Sequence, residues 1–593
     1  MAKQPIINGK AVERSYEDYR SNLYLVNRRY QRKLVWGVSE KRAFIDSLAN
    51  GYPVPLFLFS ISKYKDIVRN EIIDGMQRLN AIFSFIENEY PLENGCYFDL
   101  STTAVTKDLL DKGVLIQKHP VLDRSQCVKV VSYELPYSIY NESDPDVIDE
   151  VFRRINSNGQ HLSRQEIRQA GATSEFAQLV RLLSTQIRGD VSHDDTLLLS
   201  QMKEVSINQE INDTGINADS VFWVKENIIN KEDLRQSMDE EQVADLLAAM
   251  VLQPIPPSNV SVLDEYYGFR NVDSETRGKK VEDAVLAVNP EILSEQFLYV
   301  LDEIKKVFYN RPKTIIGYIV GPRLYKGPRY FQILFLSFYE LLVRQEKKIA
   351  DYERLYNQLD AISSRTMNIA GGGGWWTSKE KTELVAATVG VITSNFVNRT
   401  DGDPMYYSYT TEVETLLKQS HTENSQYDFK QGIYNLSTGE RNDNLLKKII
   451  KTLTAMANLG RNSVGYVIIG VADKIEDAEK ICERYNTSYI KVGSFYITGV
   501  DGEVSEFNNG NYDDYYAIFK NAINIMPISE HYKRQLGSKM RMVNYYSKSV
   551  IIIKIICDNG AVIFDNGYFT RSGASNDPTP VSPESMPAFF SKF

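Results

Sequence analysis

The chain has 593 residues and a mass of 67.8 kDa, enough for about three to four domains at roughly 150 residues each. Apolar residues at 43% and charged residues at 24% exclude wholesale disorder, a collagen-like fibre and a disulfide scaffold. A net charge of -9 excludes a uniformly basic nucleic-acid coat and leaves a local basic patch open.

Four cysteines, Cys96, Cys127, Cys482 and Cys557, stand far apart with no zinc-ligand spacing. Five histidines form no HExxH, and no GxxxxGK[ST] phosphate loop occurs, so zinc proteases and Walker-type ATPases drop out. The opening MAKQPIINGKAVERS lacks the apolar core of a signal peptide, and no run reaches the 18 apolar residues of a membrane span. These features predict a cytoplasmic protein with no membrane partner.

In chain order, EKRAFIDSLAN predicts a helix through Phe44, Ile45 and Leu48 that stops at Gly51. PLFLFSI and NEIID predict strands. QRLNAIFSFIEN predicts a helix with Leu79, Ile82, Phe83 and Ile86 on one apolar face. Asp144-Pro145 opens a helix through Val147, Ile148, Val151, Phe152 and Ile155, stopped at Asn158-Gly159. Ser163 and Glu166 form a capping-box pattern. From about 165 to 370 the pattern is helical, as in DEEQVADLLAAMVL and RYFQILFLSFYELL. Gly371 to Gly374, followed by Trp375-Trp376, predicts a loop or hinge. Beyond about 408, TEVETLLKQ reads as an amphipathic helix, QYDFKQGI as a strand and NLLKKIIKTLTAMANLG as a strong helix ended by Gly460. VGYVIIGVAD, SFYITGV, KSVIIIKIIC and NGYFTRSG follow as strands. The expected division is 1–170, 171–370, a connecting 371–408, and 409–593, in an α+β multidomain chain.

Two clusters near the N-terminus bear on chemistry. VNRRYQRKLVW holds Arg28, Arg29, Gln31, Arg32 and Trp36; IIDGMQRLNAI holds Asp74, Gly75, Gln77 and Arg78. The second reads as strand, turn and helix, with free N–H groups at the helix start and a guanidinium fork suited to phosphate. Residues 1–70 carry 13 Lys/Arg against 6 Asp/Glu, which suits a polyanion. The other reading is a solvated basic face with Asp74 capping a helix.

These segments resemble the N-terminal domain of GmrSD-type restriction proteins, a ParB/sulfiredoxin-like fold. The family's DGQQR-type motif stands here as DGMQR, with Met76 in place of glutamine. VFRRINSNGQHLS resembles a later family block, with Arg153 where a glutamate is usual and with Asn156, Asn158 and Gly159 in place. Across about 20–170 the resemblance implies binding and hydrolysis of a nucleoside triphosphate, GTP or ATP. Its pocket would be lined by Arg29, Gln31, Arg32, Trp36, Asp74, Gly75, Gln77, Arg78 and Asn156, with Asp74 in a catalytic role.

Near the C-terminus, HTENSQYDFKQGI spaces Glu423 and Asp428 by five residues and puts Asp428 and Lys430 on one strand face, with Phe429 on the other. VGYVIIGVAD is expected to deliver Asp473 at its end. Three converging carboxylates favour a hard divalent ion, Mg²⁺ or Mn²⁺, able to activate water at a phosphodiester. The other reading is a solvated strand end with a capping Asp473. ENSQYDFK, TAMANLGRNSVGYVIIGVAD and YFTRSGAS resemble the Schlafen-type AlbA-like domain over about 410–590. That resemblance implies Glu423, Asp428 and Asp473 as catalytic metal ligands, Lys430 beside them, and Lys430, Arg461, Arg571 and the basic HYKRQLGSKMRM as nucleic-acid contacts. Together the two ends predict a nucleotide-regulated, metal-dependent nuclease acting on DNA or RNA in bacterial anti-phage defence or restriction. The alternative is a non-catalytic nucleic-acid-binding protein with a nucleotide-gated switch. A homo-oligomer stays open in both.

Overall fold

The computed structural model describes residues 6–28, 33–64, 67–140, 147–148, 151–152, 154, 163–169, 172–189, 196–203, 216–268, 274–321, 327–367, 376–399, 413–414, 416–417, 424–572 and 575–593. They divide into two units, one of residues 1–294, 310–345 and 349–396, the other of 295–309, 346–348 and 397–593.

The first unit begins with strand β1 (Ile6–Ala11) and helix α1 (Val12–Arg20), then β2 (Tyr24–Asn27), α2 (Val38–Ala49), β3 (Phe57–Tyr64), β4 (Ile67–Asp74) and α3 (Met76–Ile86). With β5 (Glu134–Tyr140) and β6 (Thr196–Leu198) the strands form one sheet in the order β1-β5-β3-β4-β2-β6. Alternation along β3 sorts its side chains between two cores. Phe57 and Phe59 face a large core with Tyr16 and Tyr19 of α1, Ile45 of α2 and Leu79, Ile82 and Phe83 of α3. Leu58 faces the other side, where it packs with Ile73, Ile148 and Phe152. The predicted strands and helices of this segment are thus present. Helix α3, expected to bury one face, buries every side chain except Gln77. Phe85 packs against Tyr90 and Phe98 of the chain that follows, so the face away from the sheet is covered too.

Helices dominate the rest of the first unit, including Glu175–Arg188, Met238–Val251, Gly327–Tyr339 and Ser378–Ile392. The capping box at Ser163 is formed in both directions: the Ser163 N–H donates to Glu166 Oε2 at 2.8 Å, and the Glu166 N–H donates to Ser163 Oγ at 3.2 Å. Arg168 in the next turn is fully buried, donating to Glu241 (2.6 Å) and Asp264 (2.8 Å). The Gly371–Gly374 run and Trp375 lie outside the described residues, as do Asn158 and Gly159. Trp376 is buried.

The second unit is built on a four-stranded sheet in the order Met540–Tyr545, Lys548–Ile556, Val464–Ile469, Tyr427–Lys430; the last pair is parallel. Alternation again sorts two cores. Val467, Ile469, Ile551 and Ile553 meet Leu446, Ile449, Leu453 and Met456 of helix Asp443–Ala457. Tyr466, Ile468 and Ile552 meet Val413, Leu416, Leu417 and Tyr427 on the other face. Gly465 admits the helix, because a Cβ there would collide with Met456. The helix ends at Ala457 with Asn458 as its cap, earlier than the expected stop at Gly460. The Asn458 side chain donates to the Val562 and Phe569 carbonyls, which fixes the stop. VGYVIIGVAD is not one strand. Gly470 (φ +99°) breaks it, and Val471–Ala472 pairs with Phe495–Ile497 in a separate three-stranded sheet. Only glycine fits that position, since the Gly499 backbone lies 3.1 Å from any Cβ.

Among the described residues no helix is long and apolar enough to cross a membrane, and all four cysteines are free thiols.

Candidate functional sites

In the first unit the DGMQR segment is the turn from β4 into α3. Gly75 caps the helix at φ +107°, and a Cβ there would stand 2.5 Å from the Phe57 ring, so glycine is required twice over. A bulge in the β3–β4 pairing at Leu58/Phe59 re-aims the strand just before this turn. It puts Asp74 at the sheet end with its side chain about one-third exposed.

Arg78, one helical turn on, donates to Asp74 Oδ2 at 2.6 Å, to the Pro55 carbonyl at 2.5 Å and to the Leu56 carbonyl at 3.2 Å. Its guanidinium lies 4.6 Å from the Phe57 ring centroid. The fork therefore fastens the segment entering β3. Gln77 fastens the other flank. Its Oε1 accepts from the Val35 and Trp36 N–H groups (3.1 and 3.3 Å), and its Nε2 donates to the Lys33 carbonyl at 2.9 Å. Trp36 in turn meets Phe44 edge-on at 5.8 Å. Gln77 and Arg78 thus brace the two segments that flank Asp74, a role the motif did not reveal. Met76 is buried in the core. Arg29, Gln31, Arg32, Arg153 and Asn156 lie outside the described residues. Phe152, just before Arg153 in sequence, packs beside Ile73, the residue before Asp74.

Lys33 is a residue the sequence reading passed over. It is buried, and its Nζ donates to the Leu234 carbonyl at 2.7 Å. Burial first, and the Arg188 charge second, push its ammonium below the usual lysine range, against the pull of Asp239, Glu166 and Glu240. No sequence pattern marks it, because its partners lie more than 130 residues downstream.

In the second unit, Asp428 and Lys430 share a strand face as expected, and Lys430 Nζ pairs with Asp428 Oδ2 at 2.7 Å. Phe429 points the other way, onto Phe495 at 4.5 Å. Arg571 is buried; its Nη1 donates to the Ser425 and Tyr427 carbonyls (3.2 and 2.8 Å). Burial depresses its guanidinium, and the Asp428 carboxylate acts in the opposite sense. Arg571 therefore straps the strand that carries Asp428. Arg461 is exposed on the turn after the long helix.

The strand end opens into a cavity of about 220 Å³. Lys430 and Asp473 both line it, together with Phe429, Tyr434, Tyr485 and Glu503. The break at Gly470 carries Asp473 to this cavity. Glu423 lies outside the described residues, and among the described residues no group of three His, Cys, Asp or Glu side chains is disposed to hold a metal ion. Asp428 and Asp473 remain as hard oxygen donors, of the kind Mg²⁺ or Mn²⁺ prefers.

Glu503 shapes the cavity floor. Its carboxylate accepts from the Ile433 and Tyr434 N–H groups (both 3.0 Å) and from the Tyr515 hydroxyl at 2.5 Å. Burial raises its carboxyl above the usual range despite these donors. Gly432 leaves room for it, since any Cβ there would strike the carboxylate. Replacing Glu503 with alanine strands three buried donors and is expected to cost about 3 kcal/mol or more, read as a lower melting temperature. Glu503→Gln, which retains one acceptor oxygen, is expected to fall between.

No curated protein matches the chain. Residues 12–172, from the start of α1 through the Asp74–Arg78 turn to just past Arg168, match the family described as the GmrSD restriction endonuclease, N-terminal domain, a match that supports a restriction-type role with nucleic acid as the substrate class.

Proposed function

We propose that the chain is a nucleotide-regulated, metal-dependent nuclease effector of restriction or anti-phage type. Its ends take a ParB/sulfiredoxin-like and a Schlafen AlbA-like form. The observation that carries the nuclease reading is the shared cavity of Lys430 and Asp473, with Asp428 ion-paired to Lys430. Asp428 and Asp473, with Glu423, would hold one or two divalent ions, which supply an activated water and charge stabilisation at a phosphodiester. Lys430 neutralises Asp428 until the substrate arrives, then turns its ammonium to the phosphate. Arg571 keeps the Asp428 strand in place, and exposed Arg461 offers a backbone contact. At the other end, GTP or ATP binds at the Asp74–Arg78 turn. The phosphates are gripped by Arg29, Gln31 and Arg32, which precede in sequence the segment Lys33–Trp36 that Gln77 braces, with Trp36 and Asn156 completing the pocket.

The test is cleavage of DNA and RNA panels by the full chain, with and without GTP or ATP and with Mg²⁺ or Mn²⁺. Asp473→Ala is expected to abolish cleavage with the fold intact, because Asp473 is exposed. Lys430→Ala is expected to slow cleavage by about 10²–10³-fold. Nucleic-acid binding by Asp473→Ala is expected to persist or rise, as one negative charge near the phosphate is lost. Equal cleavage by Asp473→Ala and wild type would remove the carboxylate site. The direct Lys430–Asp428 pair favours a second reading, a binding protein with a nucleotide-gated switch, which requires that wild type cleave nothing under any of these conditions.

A further inference from the structure

The cavity beside Lys430 has more structure than phosphodiester cleavage demands. Its buried lining is Val471, Ile481, Gly499 and Glu503, whereas Asp473 is exposed, so burial separates an inner end from a charged mouth. Tyr434 and Tyr485 complete the interior. Tyr434 is stacked on Phe507 with ring centroids 4.2 Å apart, which fixes its plane. Tyr485 is seated on Gly502, where any Cβ would strike its ring. Its hydroxyl is buried, with the Arg484 side chain as its neighbour. A volume of about 220 Å³ is several times the roughly 30 Å³ share of one water, and below the roughly 300 Å³ at which pockets for drug-sized ligands begin. It suits one planar ring system with a hydrogen-bonding edge.

We infer that the cavity takes up a single unpaired nucleobase of a single-stranded DNA or RNA substrate, packed against the Tyr434 and Tyr485 rings, with its own phosphate left at the mouth beside Lys430 and Asp473. This inference rests on the nuclease reading of the same site and narrows its substrate to strands with an unstacked base. A base in a duplex cannot enter without flipping out of the stack, which disfavours paired substrate. Aromatic packing supplies affinity with little sequence preference, because every base has a π-face. Glu503 supplies a polar group at the inner end of the cavity.

The experiment measures binding in EDTA, where no metal-dependent cleavage proceeds. Fluorescein-labelled 12-nucleotide DNA and RNA single strands, and the corresponding duplexes, are titrated with the full chain by anisotropy. Single strands are expected to bind at least ten-fold tighter than duplexes. Tyr485→Leu is expected to weaken single-strand binding about ten-fold and leave duplex binding unchanged. Tyr485→Phe, which keeps the ring, is expected to lose only two- to three-fold. A matching melting temperature for Tyr485→Phe and wild type separates this from misfolding. Strands with one abasic position, walked along the sequence, are expected to bind wild type more weakly at one register and Tyr485→Leu equally at all. Equal affinity for single and double strands, or wild-type binding by Tyr485→Leu, overturns the base pocket. The nuclease reading fails separately: base-dependent binding with no cleavage in Mn²⁺ leaves the pocket standing, and Tyr485-independent cleavage of duplex leaves the nuclease standing.

Discussion

Arg168→Ala is expected to lower the stability of the first unit by about 3–5 kcal/mol, the scale of a buried ion pair broken from one side. Arg168 has a fully buried side chain. Its guanidinium donates to Asp264 Oδ1 at 2.8 Å, to Glu241 Oε1 at 2.6 Å, to Gln165 Oε1 at 3.2 Å and to the Val260 carbonyl at 3.0 Å. Arg164 also pairs with Asp264, so the variant leaves Glu241 the worse compensated carboxylate. Burial already raises the Glu241 carboxyl above its usual value, with Arg168 the main opposing influence. A raised folded value means that the folded state holds a proton where the unfolded chain has lost it. That contribution is complete below the unfolded value and is lost as pH rises through the folded one. Removing Arg168 raises the folded value further. The stability deficit of Arg168→Ala is therefore expected to be largest near neutral pH and to shrink as pH falls towards 5. Urea unfolding of variant and wild type at both pH values reads this directly. A deficit under 1 kcal/mol, or one that widens in acid, contradicts the assignment. A double variant with Glu241→Ala is expected to be less destabilised than the sum of its parts.

The elements of both α/β regions were legible because alternation and helical spacing act locally. Phe57/Phe59 against Leu58, and Val467/Ile469 against Tyr466/Ile468, sort to opposite sheet faces as period-two patterns must. The same spacing put Lys430 on the Asp428 face and sent Phe429 to the core. What stayed illegible depends on long-range partners. Gly470 looks like any strand glycine until Gly499, 29 residues on, is packed against it; the break then puts Val471–Ala472, which lead to Asp473, in a different sheet. Tyr485 ends a helix of its own and meets Tyr434 only through the fold, so no local motif links them. Gln77 and Arg78 were legible as motif residues, but their partners, the backbone of 33–36 and of 55–56, carry no side-chain signal at all.

Arg78→Ala removes the ion pair to Asp74, two hydrogen bonds to backbone carbonyls and the guanidinium over Phe57, and it is expected to cost about 3 kcal/mol. Arg78→Lys keeps the charge, yet a single ammonium cannot span three acceptors in a plane, so it is expected to recover less than half. If Arg78 braces the site, stability and nucleotide affinity fall together. Gln77→Ala, which removes no charge, should also weaken GTP or ATP binding by releasing the segment Lys33–Trp36. Arg32→Ala, by contrast, is expected to weaken binding by about ten-fold or more with the melting temperature unchanged, as for a lost charge-assisted phosphate contact. Titration calorimetry and thermal melts on the four variants separate the roles. Arg78→Ala with wild-type stability and no nucleotide binding would make Arg78 a direct phosphate ligand. Wild-type affinity in both Arg32→Ala and Gln77→Ala would take the nucleotide away from this site altogether. The bracing geometry favours the coupled outcome, since the Arg78 fork holds Asp74 and the Pro55 and Leu56 carbonyls at once.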